Sequence, residues 1–133
     1  MTIKGKCHCG TVSYEFRDTP EYAIRCNCSI CRRLGTLWIY SDADNITLTG
    51  VDDTTTVSYS HGDKELDFRT CKGCGTSILW QSIETPGKGR MALNLNMAEL
   101  DDIYKVPMRL FDGADSWSFF EEDPQTKHDE LKG

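Results

Sequence analysis

Cys26-Asn27-Cys28-Ser29-Ile30-Cys31 places three cysteines within six residues, with no fourth cysteine and no histidine close behind. Thiolates are soft ligands, and three of them without a local fourth form the pattern of a metal site left open to solvent or substrate. The remaining four cysteines fall into two tight pairs, Cys7/Cys9 and Cys71/Cys74. Two pairs from distant stretches of chain are what one closed tetrahedral site requires. The seven cysteines therefore divide as four plus three.

Each group implies its own chemistry. In an extended segment residues i and i+2 share a face, so Cys7-His8-Cys9 aims both sulfurs at one metal while His8 turns away. Cys71-Lys72-Gly73-Cys74 does the same with a tight turn, in which Gly73 and Gly75 permit positive φ and close approach of backbone N–H groups to sulfur. Together they form a four-cysteine zinc cage whose halves are about sixty residues apart, so the metal contributes directly to folding. Two disulfides or buried free thiols are the rival reading.

In the central run, Cys26 and Cys28 share a strand face, and Cys28 and Cys31 share a face where a helix begins. Zinc held by three thiolates carries net charge -1 and is a weaker Lewis acid than the all-imidazole sites that ionise water. Such a site favours a further thiol in the open position, kept as a thiolate nucleophile at neutral pH. Arg32 and Arg33 offset the negative charge or hold a substrate carboxylate, or are simply solvated surface charges. The competing reading is a second structural zinc completed by His61 or an Asp. His8 and His61 otherwise read as ordinary polar residues, and His128 lies near the C-terminus.

The elements that position these residues are short. Thr11–Phe16 alternates Val12, Tyr14 and Phe16 against polar neighbours, and Glu21–Cys26 is a second strand that delivers the central run. Ser29–Leu34 predicts one or two helical turns stopped by Gly35. Further strands are expected at Thr36–Tyr40, Ile46–Leu48, Thr55–Tyr59, Glu65–Arg69, Ser77–Gln81 and Met91–Leu95, with a short helix within Met97–Ile103. Val106–Phe111 and Trp117–Phe120 supply the last core-quality residues. Trp38, Tyr40, Trp80, Phe111 and Trp117 are expected in the core, with any that lie near the open site walling it. Many short strands and little helix indicate a mainly β domain over residues 1–120, and the charged stretch 121–133 is expected to be a mobile tail.

With 133 residues and 38% hydrophobic content, the chain suits one domain that profits from a metal staple. No stretch approaches the roughly 20 apolar residues of a membrane span, and Met1–Lys6 lacks the apolar centre of a signal peptide. A cytoplasmic protein is expected, in which clustered cysteines are metal ligands more often than disulfides. The formal charge of -6 becomes about -9 with seven thiolates and two Zn²⁺, and no Lys/Arg block appears, so nucleic acid and membrane are not expected partners.

Three motifs together resemble the glutathione-dependent formaldehyde-activating enzyme family, also called the CENP-V/GFA domain family. They are Gly5-Lys6-Cys7-His8-Cys9-Gly10 followed by Val12, Cys26-Asn27-Cys28-Ser29-Ile30-Cys31-Arg32-Arg33, and Phe68-Arg69-Thr70-Cys71-Lys72-Gly73-Cys74-Gly75-Thr76. Weaker echoes are Leu93-Asn94-Leu95 and Arg109-Leu110-Phe111 followed by Trp117, with Arg109 where many relatives carry His. The resemblance implies an Mss4-like β-rich fold with two zinc ions. It marks Cys7, Cys9, Cys71 and Cys74 as structural ligands and Cys26, Cys28 and Cys31 as catalytic ones. It also implies a carbon–sulfur lyase that condenses a thiol such as glutathione with a small aldehyde such as formaldehyde. Two alternatives stand beside it: a non-catalytic interaction module with two structural zincs, and a methionine sulfoxide reductase of related fold, which would need a lone redox cysteine where this chain has three clustered thiols.

Overall fold

The computed structural model describes residues 1–120, so the expected tail 121–133 and His128 lie outside the described residues. Two sheets pack face to face. The smaller has three antiparallel strands in the order β1-β2-β5, formed by β1 (Ile3–Lys6), β2 (Ser13–Phe16) and β5 (Ile46–Thr49). The larger has seven, ordered β10-β3-β4-β9-β8-β7-β6. Its strands are β3 (Ala23–Cys26), β4 (Trp38–Asp42), β6 (Thr56–Tyr59), β7 (Leu66–Cys71), β8 (Ser77–Ser82), β9 (Arg90–Asn94) and β10 (Met108–Phe111). All its pairings are antiparallel except β10 with β3, which is parallel. Two short helices complete the fold, α1 (Ser29–Leu34) and α2 (Leu100–Lys105).

The core between the sheets follows from strand alternation. Ile3, Tyr14 and Phe16 point inward from the small sheet and meet Ile39, Leu79, Met91 and Leu93 of the large one. Each fully buried aliphatic side chain contributes about 1.5–3 kcal/mol. β1 escapes the propensity argument because Lys4, Gly5 and Lys6 are poor strand formers. Gly5 is required there by space, since a Cβ on it would stand 2.4 Å from Cζ of Tyr14, whose hydroxyl donates to the Asn94 carbonyl at 2.9 Å and joins the two sheets.

The opposite face of the large sheet is a second, smaller cluster built on Trp38, Phe68 and Ala92. Register places Tyr40 beside Ala92, Ala92 beside Trp80 and Trp80 beside Phe68, a single row across four strands. The rings of Trp38, Tyr40, Phe68 and Trp80 line a hollow on that face, with Ala92 fully buried among them.

Several expectations shift by a few residues, and two change meaning. The helix expected within 97–103 is a 3₁₀ turn at Leu95–Met97 followed by α2, because Asn94 caps the first turn by accepting from the Asn96 N–H. Trp117 and Phe120, expected in the core, are 72% and 44% exposed. No helix among the described residues is long and apolar enough to cross a membrane.

Candidate metal centres and the cavity beside one of them

The first cysteine group lies where the two sheets meet. Cys7 follows β1 of the small sheet and Cys71 ends β7 of the large one. The Cys7–Gly10 segment is a turn closed by Gly10 N–H on the Cys7 carbonyl at 3.0 Å, not the extended strand expected from the i, i+2 spacing. The second arm is a matching turn, with Gly75 N–H on the Cys71 carbonyl at 2.9 Å and Gly75 at φ 75°. Gly73 does not take the positive φ expected of it; it serves by its lack of a Cβ, which would lie 3.3 Å from Cys9 Sγ.

All four sulfurs fall within 4.8 Å of one another, with Cys7 to Cys9 at 3.6 Å and Cys9 to Cys71 at 3.7 Å. Tetrahedral zinc with bonds of about 2.3 Å requires sulfurs about 3.8 Å apart, so the cage fits the ion. Polar groups surround the sulfurs as they surround thiolates: the Val12 N–H donates to Cys7 at 3.4 Å, and Thr11 and Thr76 hydroxyls lie 3.1 and 3.2 Å from Cys9 and Cys74. The Thr76 hydroxyl, followed by the backbone N–H of Cys9, holds the Cys74 thiol down at about 5.

The second group sits at the mouth of the concave face. Cys26 ends β3, Cys28 is the N-cap of α1 and accepts from the Cys31 N–H at 3.5 Å, and Gly35 ends the helix at φ 68° as the sequence predicts. The three sulfurs lie within 4.8 Å of one another, and among the described residues no further Cys, His, Asp or Glu joins them. Cys28 N–H donates to Cys26 at 3.4 Å and the Trp38 indole N–H to Cys31 at 3.3 Å. The Cys31 thiol, donating to Cys26 against the opposing effect of burial, brings Cys26 down to about 6, and the same bond with burial pushes Cys31 up. Three thiols this close share protons because they cannot all ionise without a cation, and a divalent soft metal meets that need. Both clusters thus fit zinc by donor type and spacing.

Around the three-cysteine group opens a cavity of about 710 Å³, lined by all three of these cysteines and by none of the other four. Trp38, Tyr40, Trp80, Phe111 and Trp117 all face it, so the aromatic residues expected in the core are also its walls. Arg32 lines it, whereas Arg33 turns back to donate to the Ser29 carbonyl at 2.8 Å. His61 lines it as well, 6.0 Å from the Phe68 ring, and His8 is exposed. Arg109 is not in the cavity; it lies 3.5 Å from the Phe119 ring centroid and 4.8 Å from that of Tyr22.

Two residues that sequence reasoning missed control the rim. Asn27 pins the loop after β10, donating to Asp112 Oδ1 at 2.9 Å and accepting from the Ala114 N–H at 2.9 Å. That loop lays Gly113 on Cys26, where a Cβ would stand 2.6 Å from the sulfur. Asn27 between two cysteines was a visible signal; Asp112-Gly113 reads as an ordinary turn, and only the parallel pairing of β10 with β3 brings it to the site.

The profile of the family described as glutathione-dependent formaldehyde-activating enzyme matches residues 2–114. A protein of Halomonas elongata, provisionally named a glutathione-dependent formaldehyde-activating enzyme, is 33% identical over 61 residues, covering 41% of this chain and 39% of that protein. The chain thus spans about two-fifths of the length of the curated relative it matches. The crystal structure of a Rhodobacter sphaeroides protein superposes with a TM-score of 0.62 at 26% identity, over 79% of this chain and 98% of that one.

Proposed function

The chain belongs to the glutathione-dependent formaldehyde-activating enzyme family, and we propose that it is a carbon–sulfur lyase joining a thiol such as glutathione to a small aldehyde. In this reading Cys7, Cys9, Cys71 and Cys74 hold a structural zinc, and Cys26, Cys28 and Cys31 hold a catalytic one. The observation that supports it is the difference in surroundings: the three-cysteine group forms part of the wall of the 710 Å³ cavity, and the four-cysteine group is excluded from it.

Zinc bound by Cys26, Cys28 and Cys31 supplies a soft acid that stabilises a substrate thiol as thiolate near neutral pH. The chain's own groups do the rest. Trp38 Nε1–H and the Cys28 N–H donate to the ligand sulfurs, which spreads their charge and fixes their orientation. Asn27 holds the 112–118 loop against Cys26, so backbone packs against the ligand set. Arg32 at the rim can pair with a carboxylate of the thiol substrate, and no ion pair among the described residues occupies it.

The reading is tested by replacing Cys28 with Ser. The variant is expected to bind one zinc per chain in place of two, to keep the β-rich fold by circular dichroism, and to lose turnover of glutathione with formaldehyde. Turnover at the parental rate would refute it.

A further inference from the structure

We infer that the cavity beside Cys26, Cys28 and Cys31 contains an aryl subsite: the substrate processed there carries an aromatic ring on its carbonyl carbon, and its thiol partner places a carboxylate at Arg90. The inference rests on the lyase reading for the chemistry, and on the shape of the large sheet for the ligand class.

The rings of Trp38, Tyr40, Phe68 and Trp80 form the floor, with Ala92 fully buried among them in the same row. Trp38 and Phe68 meet at 6.2 Å between centroids and 51°, and Tyr40 and Trp80 at 5.9 Å and 60°, so two tilted ring pairs present an aromatic surface to the cavity. Flat walls of this kind favour an inserted ring through offset or edge contacts. Leu66 and Ile24 add further apolar surface without hydrogen-bonding groups. A one-carbon aldehyde would leave most of the 710 Å³ unfilled, and pockets of this size bury drug-sized ligands. The peptide groups of a tripeptide thiol would lose water against those rings, so they belong at the polar rim and leave the aromatic floor to another group. An aryl group meets neither objection.

Polarity at the rim orients the ligand. Arg90 is exposed, lies 4.7 Å above the Tyr40 ring and lines the cavity, and no described carboxylate pairs with it. Asp63 and His61 come to the cavity from the loop before β7, so the rim carries both signs of charge. A ligand with its ring on the floor and its sulfur toward the cysteines can set its carboxylate at Arg90. The reaction needs no oxidant: a bond forms between the thiol sulfur and the carbonyl carbon, the carbonyl π pair moves to oxygen, and the thiol proton ends there as the hydroxyl of a hemithioacetal.

The experiment uses stable thioethers in place of the two adducts. S-benzylglutathione and S-methylglutathione are titrated into the zinc-loaded full chain by calorimetry, with quenching of tryptophan fluorescence as a second readout. The S-benzyl compound is expected to bind at least 10-fold more tightly, and Trp80→Leu to reduce that ratio below threefold; Phe68→Leu serves as an independent floor variant if the first does not fold. Arg90→Gln is expected to weaken both ligands by a similar factor. Equal affinities, tighter S-methyl binding, or no binding of either would overturn the aryl subsite. Turnover of benzaldehyde and formaldehyde with glutathione, measured in parallel, separates the two levels. A benzyl preference without turnover of either aldehyde upholds the subsite and sinks the lyase reading. Formaldehyde turnover without a benzyl preference does the reverse.

Discussion

The two cysteine clusters use the same side chain and differ in where the chain goes next. After Cys7 and after Cys71 the backbone folds into turns whose own N–H and hydroxyl groups close around the sulfurs, and the two arms belong to different sheets. After Cys26 it enters a six-residue helix, and the residues opposite the sulfurs are the rings of a concave sheet face. A fourth thiolate and a local turn make the first cluster a clamp between sheets. Three thiolates beside an apolar hollow make the second a floor on which something else can sit. Ligand identity is therefore a poor guide to role, and ligand count combined with the surrounding walls is a good one.

The sharpest way to break this contrast is to remove one ligand from each side. Cys71→Ser, or chelation of the wild type, is expected to separate the sheets. Structural zinc in small domains contributes about 10–16 kcal/mol of apparent binding energy, comparable with or above the whole stability of a domain of this size. Loss of the cooperative thermal transition would confirm this, and an unaltered melt of a soluble variant would contradict it.

Cys28→Ser should behave in the opposite way. Turnover is expected to fall by about 10³-fold or more, with the melting temperature changed by only a few degrees, since Cys28 sits half-buried at a cavity edge. Steady-state kinetics and calorimetry on the same preparation provide the comparison, and a melt depressed as far as that of Cys71→Ser would erase the distinction.

Gly113→Ala probes the second cluster without touching a ligand. Its Cβ would stand 2.6 Å from Cys26 Sγ and 3.2 Å from Cys28 Cβ, so loop and sulfurs cannot both keep their places. Metal affinity at that site is expected to drop about 10- to 100-fold, as for other outer-shell changes, with the four-cysteine site unaffected. Competition against a chromophoric chelator would show one weakened and one unchanged zinc.

The smallest effect belongs to the strand that carries the clamp. Asp67 on β7 is buried and accepts from Ser58, from Arg69 at 2.7 Å and from Gln81 at 3.2 Å. Burial alone would raise its carboxyl, and these donors together hold it below the usual carboxylate range. Asp67→Asn is expected to cost about 1–3 kcal/mol with no change in ligand binding. Because the folded value is depressed, the contribution is complete above the unfolded value of about 3.9 and disappears as pH falls through the folded one. Denaturant melts of wild type and variant should therefore converge only below about pH 4; a gap that persists unchanged at lower pH would rule out the ionised form as its source.

Local chemistry made much of this legible beforehand. Ser29–Leu34 and its Gly35 stop are helical as the spacing indicates, and the strands at 56–59, 77–82 and 90–94 fall within a residue or two of their patterns. β1 was hidden because Lys4-Gly5-Lys6 lacks strand propensity and is held by pairing to β2 and by the fit of Gly5 under Tyr14. Trp117 looked like core because large aromatic residues usually are, yet it sits at φ 55° on a loop at the cavity rim.

Cysteine spacing by itself determined the division into four and three and the soft-metal character of both groups, because ligand type and local reach are properties of short segments. Spacing also marked the three-cysteine group as the open one; what walls that opening was decided by the tertiary structure. That outcome depends on a row of residues from four strands, Tyr40, Ala92, Trp80 and Phe68, and on a parallel strand that brings Gly113 to Cys26. Contacts so distant along the chain are set by register and packing, which no local pattern encodes.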